Sequence, residues 1–387
     1  MKIAKSVNRL GTEAVYNIFA KTKKLAQQGK KIIDLSLGQS DFKSPKHAVN
    51  ATIQALKDGH HGYTLPNGII ECREAVSRKI KSLYNANISP ERIVIMPGGK
   101  PTMHYAISFF GEPSAEIIYP DPGFPIYESM INYTGAKAVP FNLAENKDFS
   151  INPDKILSLI NEKTRLLILN NPNNPTGSFT EKTVIDKLAK GLINFPHVTI
   201  LSDEIYDRLI FDKKEIPTLF NYPDLYDRLI VLNGWSKTYA MTGWRLGWGV
   251  WPEQLIEHVF KFCVNNHSCV NTAAQYGAIA ALDGPEDHLH DMMGEFTIRR
   301  KLIVDGLRSL KGVECSLPGG SFFVFPSVKG TGMNGEEFTN KCLQEAGVAI
   351  IAGTAFGKFA TANVRFNFAT SRENISKAIE KIDKILK

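Results

Sequence analysis

Apolar positions follow two rhythms along the chain. From residue 90 to residue 250, short apolar runs predict strands at Arg92–Met96, Glu116–Tyr119, Lys137–Pro140, Leu166–Leu169, Val198–Ser202, Leu229–Leu232 and Leu246–Val250. Stretches with helical spacing separate many of them. Such alternation predicts an α/β fold, a mostly parallel seven-stranded sheet with helices on both faces. Ahead of it, residues 5–30 read as one amphipathic helix ending at Gly29, and Ile32 to Gly38 as a short strand. Pro45 opens a helix that Gly59 stops, and a turn-rich stretch from Gly62 to Gly68 leads into a helix to about Tyr84. After Asp283-Gly284-Pro285 the texture changes. A charged helix over about 286–310 precedes short strands at Glu314–Ser316, Phe322–Val324 and Asn363–Phe368 and a closing helix. This predicts a smaller α+β domain over 284–387, a large domain over 41–283, and an N-terminal arm over 1–40 that joins the small domain.

Composition narrows the function classes. The chain has 387 residues, enough for two domains. It has no run of about 18 apolar residues that could cross a membrane, and its first ten residues are mixed and polar, so neither a membrane partner nor a secretory leader is expected. Five scattered cysteines without a paired motif point to a reduced, cytoplasmic protein without a metal site. The net charge of +7 is spread among acids. The densest basic stretch, Lys21 to Lys24 with Lys30 and Lys31, reads as a solvated helix face, so no nucleic-acid partner is expected. A mildly positive protein suits anionic substrates.

Ligands of open α/β sheets bind beyond the carboxyl ends of the strands, and chemically capable residues collect at those positions. Gly234-Trp235-Ser236-Lys237 follows one strand. A lysine held there, out of bulk water, can lose its proton and condense with an aldehyde. Eight residues on, Arg245 lies between two glycines, where a guanidinium suits a phosphate. An aldehyde and a phosphate together describe pyridoxal phosphate. Pro97-Gly98-Gly99-Lys100-Pro101 opens a helix whose N-terminus favours an anion. Phe124, after Asp121-Pro122-Gly123, can stack on a pyridine ring or belong to the core. Asn171-Pro172-Asn173-Asn174-Pro175-Thr176-Gly177 is a rigid polar turn. Asp203 can pair with a protonated ring nitrogen or cap a helix, and Tyr206 follows it. Arg365, within an apolar strand, can fork to a carboxylate or form an internal salt bridge.

In this order, the segments resemble the class I/II, fold-type I, pyridoxal-phosphate-dependent aminotransferases, in particular the bacterial aspartate aminotransferase branch, over nearly the whole chain. The resemblance implies the PLP-transferase fold of type I and a ping-pong transfer of an amino group from an L-amino acid to a 2-oxo acid. It implies that Lys237 holds the cofactor and shuttles a proton, that Asp203 pairs with the pyridine nitrogen, and that Tyr206 and Asn174 hold the ring oxygen. Phe124 would stack on the ring, with Gly99, Lys100, Ser236 and Arg245 among the cofactor contacts. Tyr63 would reach the phosphate of a neighbouring subunit, implying a homodimer with shared sites. Gly38, Asn174 and Arg365 would bind the substrate α-carboxylate, and Thr12 with Lys100 a distal carboxylate, implying an aspartate- or glutamate-type substrate. No second arginine motif for that carboxylate is visible, so aromatic or aliphatic amino acids stay open, as does a C–S β-lyase on the same fold. Trp235 is bulkier than the family's usual residue. Phe323 stands where many relatives carry Tyr and is assigned no catalytic role.

Overall fold

Backbone hydrogen bonding requires the buried apolar runs to pair with one another, and they do so in a single large sheet. The computed structural model describes residues 1–12, 14–146, 148–212 and 217–387, and the side chains of all of these except 14–17, 19 and 26. The chain starts with α1 (Ala14–Gln27), β1 (Ile33–Asp34), α2 (Lys46–Lys57) and α3 (Ile70–Tyr84). There follow β2 (Ile93–Met96), α4 (Lys100–Phe110), β3 (Glu116–Asp121), α5 (Ile126–Thr134), β4 (Lys137–Asn142), α6 (Pro153–Ser158), β5 (Thr164–Asn170) and α7 (Lys182–Leu192). Next are β6 (Thr199–Asp203), β7 (Leu229–Gly234), β8 (Gly247–Val250), α8 (Ile256–Asn266), α9 (Thr272–Asp283) and α10 (Asp287–Ser309). The chain closes with β9 (Phe323–Val324), α11 (Gly335–Lys341), β10 (Val348–Ala349), β11 (Ile351–Ala352), β12 (Val364–Asn367) and α12 (Arg372–Leu386).

The seven-stranded sheet has the order β2-β8-β7-β6-β5-β3-β4. Only β8 runs against its neighbours, so the other six strands end on one edge. Successive side chains of a strand point to opposite faces, and both faces are covered. Ile93, Ile95, Leu167, Leu169, Ile200 and Val231 pack in one core with Val76 and Ile80 of α3, Leu188 of α7 and Ala278 of α9. Val94, Met96, Leu166, Ile168, Leu201 and Ile230 pack in another with Met103 of α4, Ile131 of α5 and Val259 of α8. Each such side chain contributes about 1.5–3 kcal/mol by leaving water.

A separate core surrounds α10 and α12, with Phe296, Phe322, Phe338, Phe366, Phe368 and Ile375 fully buried. The antiparallel sheet β11-β12-β9 lies within it. The N-terminal segment is stitched to this core: β1 pairs with β10 in parallel, Leu35 donates to Ala349 O at 2.9 Å, and Asn367 N–H donates to Leu35 O at 2.8 Å.

Three expectations need correction. The helix expected over 5–30 spans Ala14–Gln27, preceded by a short 3-10 turn at Val7–Arg9. Tertiary contacts fix that turn: the Arg9 guanidinium donates to the carbonyls of Asn132 and Tyr133, and Gly11 N–H donates to Ser129 Oγ at 2.9 Å. The strand expected from Ile32 to Gly38 is only two residues long, because beyond it the backbone turns toward the cavity described below. The run Glu314–Ser316 forms an isolated bridge between Glu314 and Ser327 instead of a strand.

The bulky Trp235 is fully buried in the first core, and its indole N–H donates to Ala278 O of α9 at 3.0 Å. Trp235→Ala is therefore expected to cost about 3–5 kcal/mol through the cavity it leaves. Trp235→Phe, which removes the indole hydrogen bond to Ala278 O while the helical bond to that carbonyl remains, should cost about 0.5–1.5 kcal/mol. Urea unfolding midpoints check both, and two variants as stable as the parent would contradict this packing.

Candidate active site

Residues that follow the ends of β2, β3, β5, β6 and β7 meet residues of the second core around one cavity of about 450 Å³. Its walls include Gly38, Gly99, Lys100, Phe124, Asn174, Asp203, Tyr206, Ser236, Lys237, Arg245 and Arg365. Eleven of the sequence-derived candidates thus share one space. Two do not line it: Thr12 is exposed, and the Tyr63 side chain is 94% exposed.

Lys237 projects from the turn after β7. Its Nζ donates to Gly38 O at 2.6 Å and lies 5.6 Å from the Phe322 ring centroid and 5.9 Å from that of Tyr206. A Cβ on Gly38 would stand 3.2 Å from Phe323 Cζ and 3.9 Å from this amine, so a side chain there would crowd the nucleophile. Asp203 ends β6 and is 7% exposed. Burial pushes its carboxyl up to about 6, although hydrogen bonds from Tyr127 and Ile205 and the charge of Lys237 all favour the anion. Tyr127 Oη donates to Asp203 Oδ2 at 2.6 Å, and Ile205 N–H to Oδ1 at 3.2 Å.

Beside Arg245 the backbone is drawn close. Gly98 has φ +91°, and a Cβ there would strike the Arg245 guanidinium. Arg245 is itself left-handed (φ 55°, ψ 54°), with Nη1 donating to Thr242 O at 2.8 Å. Gly99 caps α4, so the first free N–H groups of that helix face the same region as Arg245. A cation and a helix N-terminus together can hold a dianion. Lys100 Nζ sits 5.4 Å from the centroid of the Phe124 ring, which meets Tyr127 edge-on at 5.8 Å.

Arg365 lies on β12 and is 3% exposed. Nη1 donates to Asn174 Oδ1 at 2.8 Å and Nη2 to Ser36 O at 2.6 Å. Both of these partners are neutral acceptors, so neither contact neutralises the guanidinium. Asn174 is held in turn, its N–H donating to Asn170 Oδ1 at 2.9 Å.

The sequence reasoning passed over Tyr127 and Asn170. Both carried a signal. Tyr127 is a hydroxyl on the buried face of α5, where it needs a partner. Asn170 is the polar residue ending an apolar strand; its Nδ2 donates to Asp203 O at 3.0 Å and it lines the cavity. Leu37, Gln39, Met103, Ile205 and Phe323 also line it. Among the described residues no cluster of three metal-ligating side chains occurs, and no helix is long and apolar enough to cross a membrane.

Known proteins are similar to this chain in architecture and in sequence. The probable aspartate aminotransferase of Methanocaldococcus jannaschii is 36% identical, over 91% of this chain and 93% of its own. Aromatic-amino-acid aminotransferase 2 of Thermococcus litoralis is 33% identical over 94% of each chain. The crystal structure of the aspartate aminotransferase from Rhizobium meliloti superposes with a TM-score of 0.95 at 28% identity, covering 100% of this chain and 99% of that one. Residues 30–382 match the profile of aminotransferase class I and II, and with a lysine, a buried carboxylate and a buried guanidinium around one cavity the chain belongs to that family of transaminases.

Proposed function

We propose that the chain works with pyridoxal 5′-phosphate and moves an amino group from an L-amino acid to a 2-oxo acid in two half-reactions, with aspartate or glutamate favoured. The observation that carries this is the convergence of Lys237, Asp203 and Arg365 on one cavity. The residues present fit the cofactor. Gly98 leaves room for Arg245 beside the start of α4, a cradle for a phosphate that a Cβ would fill. Asp203, buried in the cavity wall, suits a cationic ring nitrogen.

When bound, the cofactor supplies an aldehyde and an electron-accepting pyridinium ring. Lys237 is the residue that would hold the aldehyde, and its amine would then move the proton at the substrate α-carbon. Asp203, oriented by Tyr127, would keep the ring nitrogen protonated. Tyr206 and Asn174 would hold the ring oxygen, Phe124 would stack on the ring, and Ser236, Gly99, Lys100 and Arg245 would hold the phosphate. Arg365, with Asn174 and the Gly38 backbone, orients the substrate carboxylate. Lys100, at the cavity wall, gives a diacid its second contact; Thr12 would join it only after moving toward the cavity.

The protein is further proposed to be a cytoplasmic homodimer with shared sites. In support, all five cysteines are free thiols, and Tyr63, Leu65 and Leu56 are each more than half exposed. The same reading divides the chain into an arm (1–40), a large unit (41–283) and a small unit (284–387).

Lys237→Ala is expected to abolish the cofactor's bound near-visible absorbance and to lower transamination by about 10²–10⁴-fold or more. A normal spectrum and normal turnover would end the proposal. Lys100→Ala should lower kcat/KM for aspartate about tenfold relative to a neutral amino acid, a loss of about 1.4 kcal/mol. Steady-state kinetics with aspartate and phenylalanine check this, and an equal change for both removes the diacid assignment. Asp203 gives a pH signature. Its pairing requires the anion, so cofactor affinity of the cofactor-free protein should fall as pH drops through about 6, by about tenfold per unit below. Asp203→Asn should bind weakly throughout and lack this step in a fluorescence titration. Without cofactor the sign for stability is opposite: the raised pKa makes the buried anion a cost that grows as pH rises from 3.8 through about 6.

A further inference from the structure

We propose that Asp121, outside the cavity, is a positioning residue for Arg365, acting through Phe356; this rests on Arg365 being the substrate-carboxylate fork. The Arg365 guanidinium lies between two aromatic rings, with Cζ 4.3 Å from the centroid of Phe323 and 4.7 Å from that of Phe356. Two rings against a planar cation hold its plane and position. Phe323 is fixed by β9, which pairs with β12 beside it. Phe356 has no such strand. It ends a short turn, Gly353–Phe356, in the segment between β11 and β12.

What holds that turn comes from the large sheet. Asp121 ends β3 and is 1% exposed. Its Oδ2 accepts from Lys358 N–H at 3.0 Å and its Oδ1 from Phe359 N–H at 3.4 Å. From the same loop, Gly123 N–H donates to Phe356 O at 2.8 Å. Gly357, between these contacts, has φ +145°, and a Cβ there would strike the Asp121 carboxylate, so the two backbones meet without space to spare. A buried carboxylate is costly unless satisfied, and here its acceptors are used on the N–H groups of Lys358 and Phe359, two and three residues after Phe356. Three residues past Asp121, Phe124 lines the cavity. One carboxylate therefore couples a wall of the cavity to the ring that locates the arginine. Asp121 does not line the cavity, which is why its effect must pass through Phe356.

The test compares single-turnover half-reactions of the holoenzyme with an amino acid and with the amine that lacks its α-carboxylate. Asp121→Asn replaces one acceptor oxygen with a donor facing backbone N–H groups. Phe356→Leu removes the ring and leaves the backbone contacts. Both variants are expected to lose about tenfold in kcat/KM for the amino acid, mainly through KM, with the amine rate and the cofactor absorbance within about twofold of the parent. A parallel fall in both rates would show a general structural role and overturn the proposal, as would unchanged kinetics in both variants. Should Asp121→Asn fail to fold, Phe356→Leu decides. A parent enzyme that does not prefer the carboxylated substrate would overturn the Arg365 assignment first, an outcome distinct from any variant result.

Discussion

The ε-amine of Lys237 donates to the carbonyl of Gly38 across 199 residues of chain, and the geometry of the cavity follows from that contact. The lysine comes from the edge of the large sheet; the carbonyl comes from a segment fastened to the other core. That segment is held at successive points. Leu35 pairs with Ala349, Arg365 donates to Ser36 O, and Asn367 Nδ2 donates to the carbonyls of Leu37 and Gln39. An amine partly withdrawn from water needs an acceptor, and here it meets a rigid one. The absence of a side chain at Gly38 is what lets the two approach, because Phe323 fills the remaining space.

Charge is unevenly distributed around the cavity. Lys100, Lys237, Arg245 and Arg365 face it with Asp203 as the one carboxylate among its lining residues. Such an excess favours anionic ligands, and the low exposure of Arg365 limits how far salt can screen it. Asp203 works in the opposite sense. Tyr127 and the Ile205 N–H favour its anion, but burial outweighs them and leaves its carboxyl near 6. A cation placed against it would recover that desolvation cost, so a ring nitrogen bound there would be protonated and the carboxylate ionised together.

The strands were readable because each is a short apolar run buried on both faces, and the seven expected runs are the seven strands of the sheet. Much of the site was readable for a related reason: its residues stand directly after those runs, in turns rich in Gly, Pro and Asn. Arg365 was visible as a charge inside an apolar strand. Tyr127 was not, since a tyrosine on an amphipathic helix looks like any core aromatic until Asp203 is placed beside it. The N-terminal helix was overextended because periodicity continues through Val7–Arg9, whereas the turn there is fixed by Arg9 reaching carbonyls 123 and 124 residues away. The bridge at Glu314 failed to become a strand for the same reason: pairing depends on a partner that local sequence does not specify.

The family includes relatives named for aspartate and for aromatic amino acids at similar identity, so selectivity must come from a few wall residues. The cavity offers Leu37, Met103, Ile205 and Phe323 as apolar surface, and Lys100 against the face of Phe124. On the proposed reading, that last pair is where the choice is made. A diacid draws the ammonium toward its second carboxylate, exchanging a cation–π contact of about 0.5–2 kcal/mol for a charge-assisted hydrogen bond. An apolar side chain offers no such exchange and leaves the ammonium on the ring. The margin between the two is small because the ring already satisfies the cation in part. Selectivity for diacids then depends on how firmly Phe124 retains the ammonium of Lys100 as well as on the presence of that lysine.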